Sequence, residues 1–475
     1  MKDKTKNNNR AQWWALLILL TGTLLPPMDF FIVNVALPSI QEDMKTTGSM
    51  SQLVVSCYAA SYAVFLITGG RLGDLYGRRQ VFMIGMVCFA ASSALCGLAW
   101  SPTVLIAGRV LQGAAAAVMA PQSLALIHAI FPAEQKNRAL GFYGATFGLA
   151  SVIGQVLGGV LVTTDPFGLG WRNIFLLNLP IVAVAVPAAW WLLQETRSSH
   201  PAKLDPGGML LLAVALTALV FPLVEGREKG WPLWSISLLI LALPTLILFW
   251  QYEKRVVRKG TDPLVVPAIF SAPGIKSGLW ATLFFYSIAP FFLFFAVYQQ
   301  IGLGLSPLRV GVAILPLGAG FLLGPLANPY FIKFFKNYTT SLGMALEVIG
   351  MLLVALLVIL EQPHWFPLPL FIIGFGQGIA MPSLIRNVVE HVDNRWSGLA
   401  AGLVNSTLQI SGALAVALIG GVFFTVAGQV PSPETISRAF IIACLIIGGT
   451  LALAAVLSSF SERKKHSTAP LTSQT

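Results

Sequence analysis

The sequence predicts an all-α integral membrane protein with two six-helix bundles, two additional helices between them, and both termini in the cytoplasm. Three observations predict it. Of the 475 residues, 56% are hydrophobic and only 10% are charged, and the mean hydropathy is +0.77, a balance foreign to soluble globular domains. The apolar residues gather into fourteen runs, each near the roughly 20 residues that carry a helix across a bilayer. Between the runs, basic residues are abundant at every second junction, as the positive-inside rule requires. Barrel strands would alternate polar and apolar positions and would not give continuous runs of this length.

In chain order the first six runs lie near 13–36, 51–70, 79–99, 102–127, 138–162 and 172–193. The first follows a polar start, MKDKTKNNNR, and no small-residue cleavage site comes after it, so an uncleaved helix is expected rather than a signal peptide. Two further runs, near 206–224 and 232–251, stand between the polar stretches Gln194 to Asp205 and Tyr252 to Asp262. The last six lie near 277–300, 308–332, 338–360, 366–388, 398–424 and 437–459. The expected organisation is therefore a cytoplasmic tail 1–12, a six-helix bundle 13–200, the added pair with its linkers 201–260, a second bundle 261–460 and a tail 461–475. A charged hairpin, GRLGDLYGRR from Gly70 to Arg79, separates the second and third runs, and Gly324 to Asn337 echoes it at the matching place in the second half. Such a parallel repeat places substrate near the midplane between the halves.

With the N-terminus inside, 23 of the 30 lysines and arginines fall on cytoplasmic segments, six fall on the opposite side, and Arg109 lies within a run. The net charge of +11 thus reports topology, with a weak attraction to anionic inner-leaflet lipid, and implies no nucleic-acid partner. Cys57, Cys88, Cys96 and Cys444 all fall inside runs without metal-ligand spacing, so they read as packing residues. No GxxxxGK[ST] phosphate loop occurs, and no metal cluster or nucleophile–base pair is visible in the runs. An enzyme and a bound cofactor are therefore not expected, and transport must draw on an ion gradient.

Asp29 and Glu347 are the acids deepest within runs. A charge at mid-bilayer costs about 2.5–3.5 kcal/mol on insertion scales, so such residues are usually functional and neutralised by a proton or a partner. Asp29 follows Pro26 and Pro27, which free helix carbonyls beside it. Arg109 lies about seven residues below the outer end of its run, as Asp29 does in its own, so the two share a depth and can face one cavity. Asp29 reads as the proton-coupling acid with Arg109 tuning it, against the plainer alternatives of a permanent ion pair or of Arg109 merely bonding backbone carbonyls. Glu347 reads either as a second coupling acid or as a glutamate bonded to a neighbouring helix. Gly148, Gly154, Gly158 and Gly159 form a small-residue stripe, suited to close packing and also to sliding. Asn405 and Gln409, four apart on one helical face, join Asn34, Gln112, Gln155, Tyr286, Tyr298 and Gln299 as candidate linings of a substrate cavity.

These residues and motifs resemble the major facilitator superfamily, in particular its fourteen-helix drug:H⁺ antiporter branch. GRLGDLYGRR is similar to the superfamily's loop 2–3 motif, with Gly70, Asp74, Gly77, Arg78 and Arg79 at its characteristic positions. RVLQGAAAA from Arg109 resembles the fourth-helix motif associated with proton coupling. MDFFIVNVALP, WRNIFLLNLP and LDPGGMLLL resemble the branch's first helix, a characteristic run, and the start of its first added helix. Two departures stand out: Gln155 occupies the proline position of the fifth-helix GPxLGG pattern, and Phe31 replaces a small hydroxylated residue. The resemblance implies the major facilitator fold and a gating role for Asp74, which in the family meets the N-terminus of a second-half helix, here near Ser397. It implies a monomeric multi-pass protein of the bacterial cytoplasmic membrane, its partners a small-molecule substrate, protons and lipid; whether a periplasmic adaptor is needed is not read. The function expected is proton-coupled export of small lipophilic drugs, lipophilic monocations among them, by alternating access. A carrier of one metabolite and a non-transporting sensor or scaffold are the alternatives.

Overall fold

A computed structural model describes residues 2–197, 203–272, 274–335, 338–389, 397–428 and 430–467. Among them every regular element is helical, and fourteen helices are long and apolar enough to cross a membrane. The first six are α1 (Gln12–Met44), α2 (Met50–Tyr76), α3 (Arg78–Gly97), α4 (Pro102–Ile130), α5 (Phe142–Thr164) and α6 (Gly170–Leu192). A hairpin follows, α7 (Pro206–Gly226) and α8 (Leu233–Arg258). The last six are α9 (Ile275–Gly302), α10 (Pro307–Asn328), α11 (Thr339–Ile359), α12 (Pro363–Val388), α13 (Gly402–Ala427) and α14 (Pro433–Phe460). An even number of spans puts the start of α1 and the end of α14 on one face, called here the terminal face; the other is the far face.

Local chemistry sets the helix starts. Ser101 caps α4, its hydroxyl accepting from Val104 N at 3.3 Å ahead of Pro102, and Ser306 serves α10 in the same way ahead of Pro307. The α2–α3 turn needs Gly77, whose φ of 109° suits glycine alone. The N-terminus of α3 is then capped by Glu195, which accepts from Arg79 N at 3.0 Å and Gln80 N at 3.1 Å, a carboxylate at the positive end of a helix dipole.

Several elements differ from the simple runs: α1 continues past residue 36 to Met44, and α2 runs to Tyr76, so the expected hairpin Gly70–Arg79 is helical except at Gly77, which alone makes the turn. The span 277–300 is interrupted: α-helix gives way to a 3₁₀ turn at Tyr286–Ile288, before Pro290, and ends in a π turn at Tyr298–Gly302. The polar stretch from Tyr252 remains helical as far as Arg258, because Tyr252 and Glu253 find partners in the neighbouring linker and need not leave the helix.

Within the first six spans α1 packs on α5, α2 on α4 and α3 on α4; within the last six α10 packs on α12, and α11 on both α12 and α14. The two groups meet along α5–α10 and α2–α13. At the far face Thr163 Oγ1 accepts from Leu308 N at 3.1 Å, and Gln300 of α9 donates to Val35 O at 2.9 Å. Deeper in, Phe31 of α1 meets Phe292 of α9 edge to face at 4.5 Å.

Candidate functional site

Asp29 and Arg109 form an ion pair with both side chains fully buried. The remaining lone pairs are met as well: Asp29 Oδ1 accepts from Gln112 Nε2 at 2.8 Å and from Asn178 Nδ2 at 3.1 Å. Ser93 Oγ closes the network, accepting from Gln112 at 3.1 Å and Asn178 at 2.9 Å while donating to Phe175 O at 2.8 Å. Arg109 has other support, with Nε donating to Val54 O at 2.9 Å, Nη1 to Gln112 Oε1 at 2.6 Å, and its plane 4.1 Å above the Tyr58 ring. Tyr58 in turn donates to the carbonyl of Pro26, one turn before Asp29 on a helix whose hydrogen bonding Pro26 and Pro27 interrupt. One carboxylate is thus held by α1, α3, α4 and α6, and its arginine by α2.

The two charges predicted to share a depth are in direct contact, but inside the first six spans, on the side of α1 that faces α3 and α6. Gln112, expected in a cavity wall, is instead the bridge of this network. Asn178, Ser93 and Tyr58 were not anticipated. Asn178 had a visible signal, an asparagine inside the apolar run WRNIFLLNLP, whereas a serine such as Ser93 is too common in spans to stand out.

The other candidates are dispersed. Asn34 and Gln155 are buried with amide atoms unpartnered, Asn34 through both its oxygen and nitrogen. Tyr298 is buried and stacks on Phe440 at 4.7 Å, Gln299 is buried beside it, and Tyr286, Asn405 and Gln409 are half-buried. Glu347 is wholly buried where the α11 backbone packs on Gly376 of α12, and among the described residues neither carboxyl oxygen has a partner. The glycine stripe serves two faces. Gly154 and Gly158 lie against Met28, Ile32 and Val35 of α1, while Gly148 and Gly159 lie against Phe321 and the Pro307–Leu308 backbone of α10. Gln155 belongs to the second face, its backbone against Gly311. In the loop 2–3 motif Gly70 lies against Pro121, and Asp74 accepts from Arg78 at 2.9 Å. Arg79 binds the carbonyls of Trp190 and Leu193 and lies 4.9 Å over the Trp190 ring. The helix start near Ser397 expected to meet Asp74 adjoins residues 390–396, which lie outside the described set.

A sequence model of the Major Facilitator Superfamily matches residues 19–416. The chain belongs to that superfamily. Its relatives include the probable actinorhodin transporter of Streptomyces coelicolor, 35% identical over 88% of this chain and 73% of that protein. The puromycin resistance protein pur8 of Streptomyces alboniger is 34% identical over 86% and 82%, and the multidrug resistance protein Stp of Mycobacterium tuberculosis is 31% identical over 87% and 76%. This major facilitator chain also shares its fold with a bacterial homolog of the human lysosomal transporter Spinster, TM-score 0.66 at 16% identity over 98% and 99% of the two chains. A D-xylose-proton symporter gives 0.64 at 14% identity over 94% and 97%. The family and its relatives are transporters and not enzymes, and the protein is a multi-pass membrane protein.

Proposed function

We propose that this major facilitator protein is a proton-coupled exporter of small lipophilic compounds, acting in the bacterial cytoplasmic membrane by alternating access between two six-helix bundles. The observation that carries the reading is the Asp29–Arg109 pair, a sealed acid whose basic partner is already supported elsewhere. When Asp29 takes a proton the ion pair is lost, but Arg109 keeps the Val54 carbonyl, the Gln112 oxygen and the Tyr58 face. Protonation therefore loosens α1 from α4 and leaves Arg109 a buried cation held by neutral acceptors, a local change that can bias the whole bundle. The contacts between α5 and α10, from Thr163–Leu308 to Gly148–Phe321, hold the two bundles together toward the far face. Relatives named for antibiotic and multidrug resistance support export, and one named for a single compound keeps a dedicated carrier as the second reading.

The test is efflux of a fluorescent lipophilic cation from proteoliposomes under an imposed pH gradient, comparing wild type with Asp29→Asn and Glu347→Gln. Wild type and Glu347→Gln should move dye at similar rates, and Asp29→Asn should fall at least about tenfold, the equivalent of 1.4 kcal/mol. Equal flux in wild type and Asp29→Asn sinks the assignment of Asp29. A wild type that moves only one chemically narrow compound favours the dedicated carrier.

A further inference from the structure

Arg71 belongs to the loop 2–3 motif but stands in the last turns of α2, and its guanidinium reaches away from the α2–α3 turn. It is 8% exposed and donates to three backbone carbonyls, Nη1 to Lys203 O at 2.8 Å and Asp262 O at 3.2 Å, and Nη2 to Pro263 O. Lys203 lies in the linker entering α7; Asp262 and Pro263 lie in the linker leaving α8. One side chain of α2 thus holds both ends of the hairpin. The linkers are also tied to each other, with Lys203 N donating to Asp262 Oδ2 at 2.8 Å, Leu264 N to Asp205 Oδ2 at 3.1 Å and Val265 N to Glu253 Oε2 at 3.0 Å. Asp205 and Glu253 are 7% and 0% exposed, and with Asp262 they surround a guanidinium that is itself bonded only to carbonyls.

The attachment continues into the membrane. Thr68 Oγ1 donates to Met209 Sδ at 3.5 Å, and Ala63, Val64 and Ile67 of α2 share one apolar cluster with Leu212, Leu216 and Phe249 of the hairpin. Toward α13 the same cluster meets Leu403 and Ile410, apolar surfaces that can shift without breaking a directional bond. Just past the clasp the chain changes sides: Val266 and Ile269 pack with Ile275, Val388 and Val404 of the last six spans.

We propose that Arg71 is a positioning residue that makes the α7–α8 hairpin part of the first six-span body, so that the loop 2–3 motif and both linkers move as one against α13, pivoting at Val265–Val266. This rests on the transporter reading. It gives the two added helices a task, to extend the moving surface of the first body, and gives Arg71 more than a share in topology. The hairpin is not an independent anchor.

Two kinds of measurement test it in the full-length protein with the four native cysteines replaced. A disulfide between Thr68→Cys and Met209→Cys welds the hairpin to α2, and dye flux should stay within about twofold of the reduced protein; flux lost on oxidation and regained on reduction overturns the proposal. Arg71→Ala should lower maximal flux about tenfold with KM unchanged, and Arg71→Lys should lie between, keeping the charge without the planar fork. A folded Arg71→Ala protein with wild-type flux also overturns it. Spin labels at Lys229 and Trp100 should hold one distance across pH and substrate conditions, while labels at Lys229 and Val430 should change theirs; the reverse pattern sinks the idea. These distances report motion and not flux, so they still decide the attachment if no dye is moved and the transport reading fails.

Discussion

Asp29 and Arg109 behave as one unit, and removing one partner alone leaves the other charged and sealed. Breaking a buried pair from one side costs about 3–5 kcal/mol, so Arg109→Gln should lower the thermal midpoint and the yield of folded protein. The double variant Asp29→Asn, Arg109→Gln should recover part of that loss, since two neutral amides can hydrogen-bond in the same space; fluorescence-detected melting of the two proteins checks it. No recovery would mean that Arg109 acts through Val54 and Tyr58 and not through Asp29. Both charges were legible in the sequence because a lone ion in an apolar run has few explanations. Ser93 was not, because a serine is ordinary in a span; Asn178 stands out in its run, but nothing in the order of residues says that α3 and α6 close over α1.

On α5 the glycine positions divide by angle around the helix. Gly154 and Gly158 allow α1 to approach within one bundle, and Gly148 and Gly159 allow α10 to approach from the other. Gly154→Val should therefore destabilise the fold by overpacking, about 1–3 kcal/mol, read as a lower thermal midpoint. Gly159→Val should leave the midpoint almost unchanged but open the far face, read as faster labelling of a cysteine placed at Thr163. If both variants only lower the midpoint, α5–α10 is a static contact. The stripe itself is a sequence feature; its partition between two partners is not, since a run of glycines carries no mark of what approaches it. Gln155 shows the same limit: it reads as a polar residue for a cavity, yet its backbone meets Gly311 and its amide nitrogen is unpartnered.

Across the whole molecule the charge distribution sets orientation. With 23 basic residues assigned to one side and six to the other, the positive-inside rule predicts a cytoplasmic terminal face. A fluorescent protein fused after residue 475 should light up in cells, and alkaline phosphatase inserted at Lys229, in the turn between α7 and α8, should be active outside. Phosphatase activity at the C-terminus instead would invert the proposed direction of transport. The fold class was readable at this scale because each span must satisfy its own backbone hydrogen bonds in lipid, which forces long apolar runs into helices one at a time.

The sequence by itself determined the number of spans, the 6+2+6 spacing around the polar linkers and the few ions that lipid does not tolerate. These are local quantities, set by the length and composition of each run against a bilayer of fixed thickness. Only the tertiary structure decided which helices meet: that Asp29 turns toward Ser93 and Asn178, that Glu347 finds no partner, and that Arg71 grips Lys203, Asp262 and Pro263. Asp29 and Asn178, and Arg71 and its three carbonyls, are more than a hundred positions apart, and in a membrane the choice of such contacts depends on side-chain packing and interhelical hydrogen bonds. Hydropathy counts every apolar face alike and carries no information about such pairings.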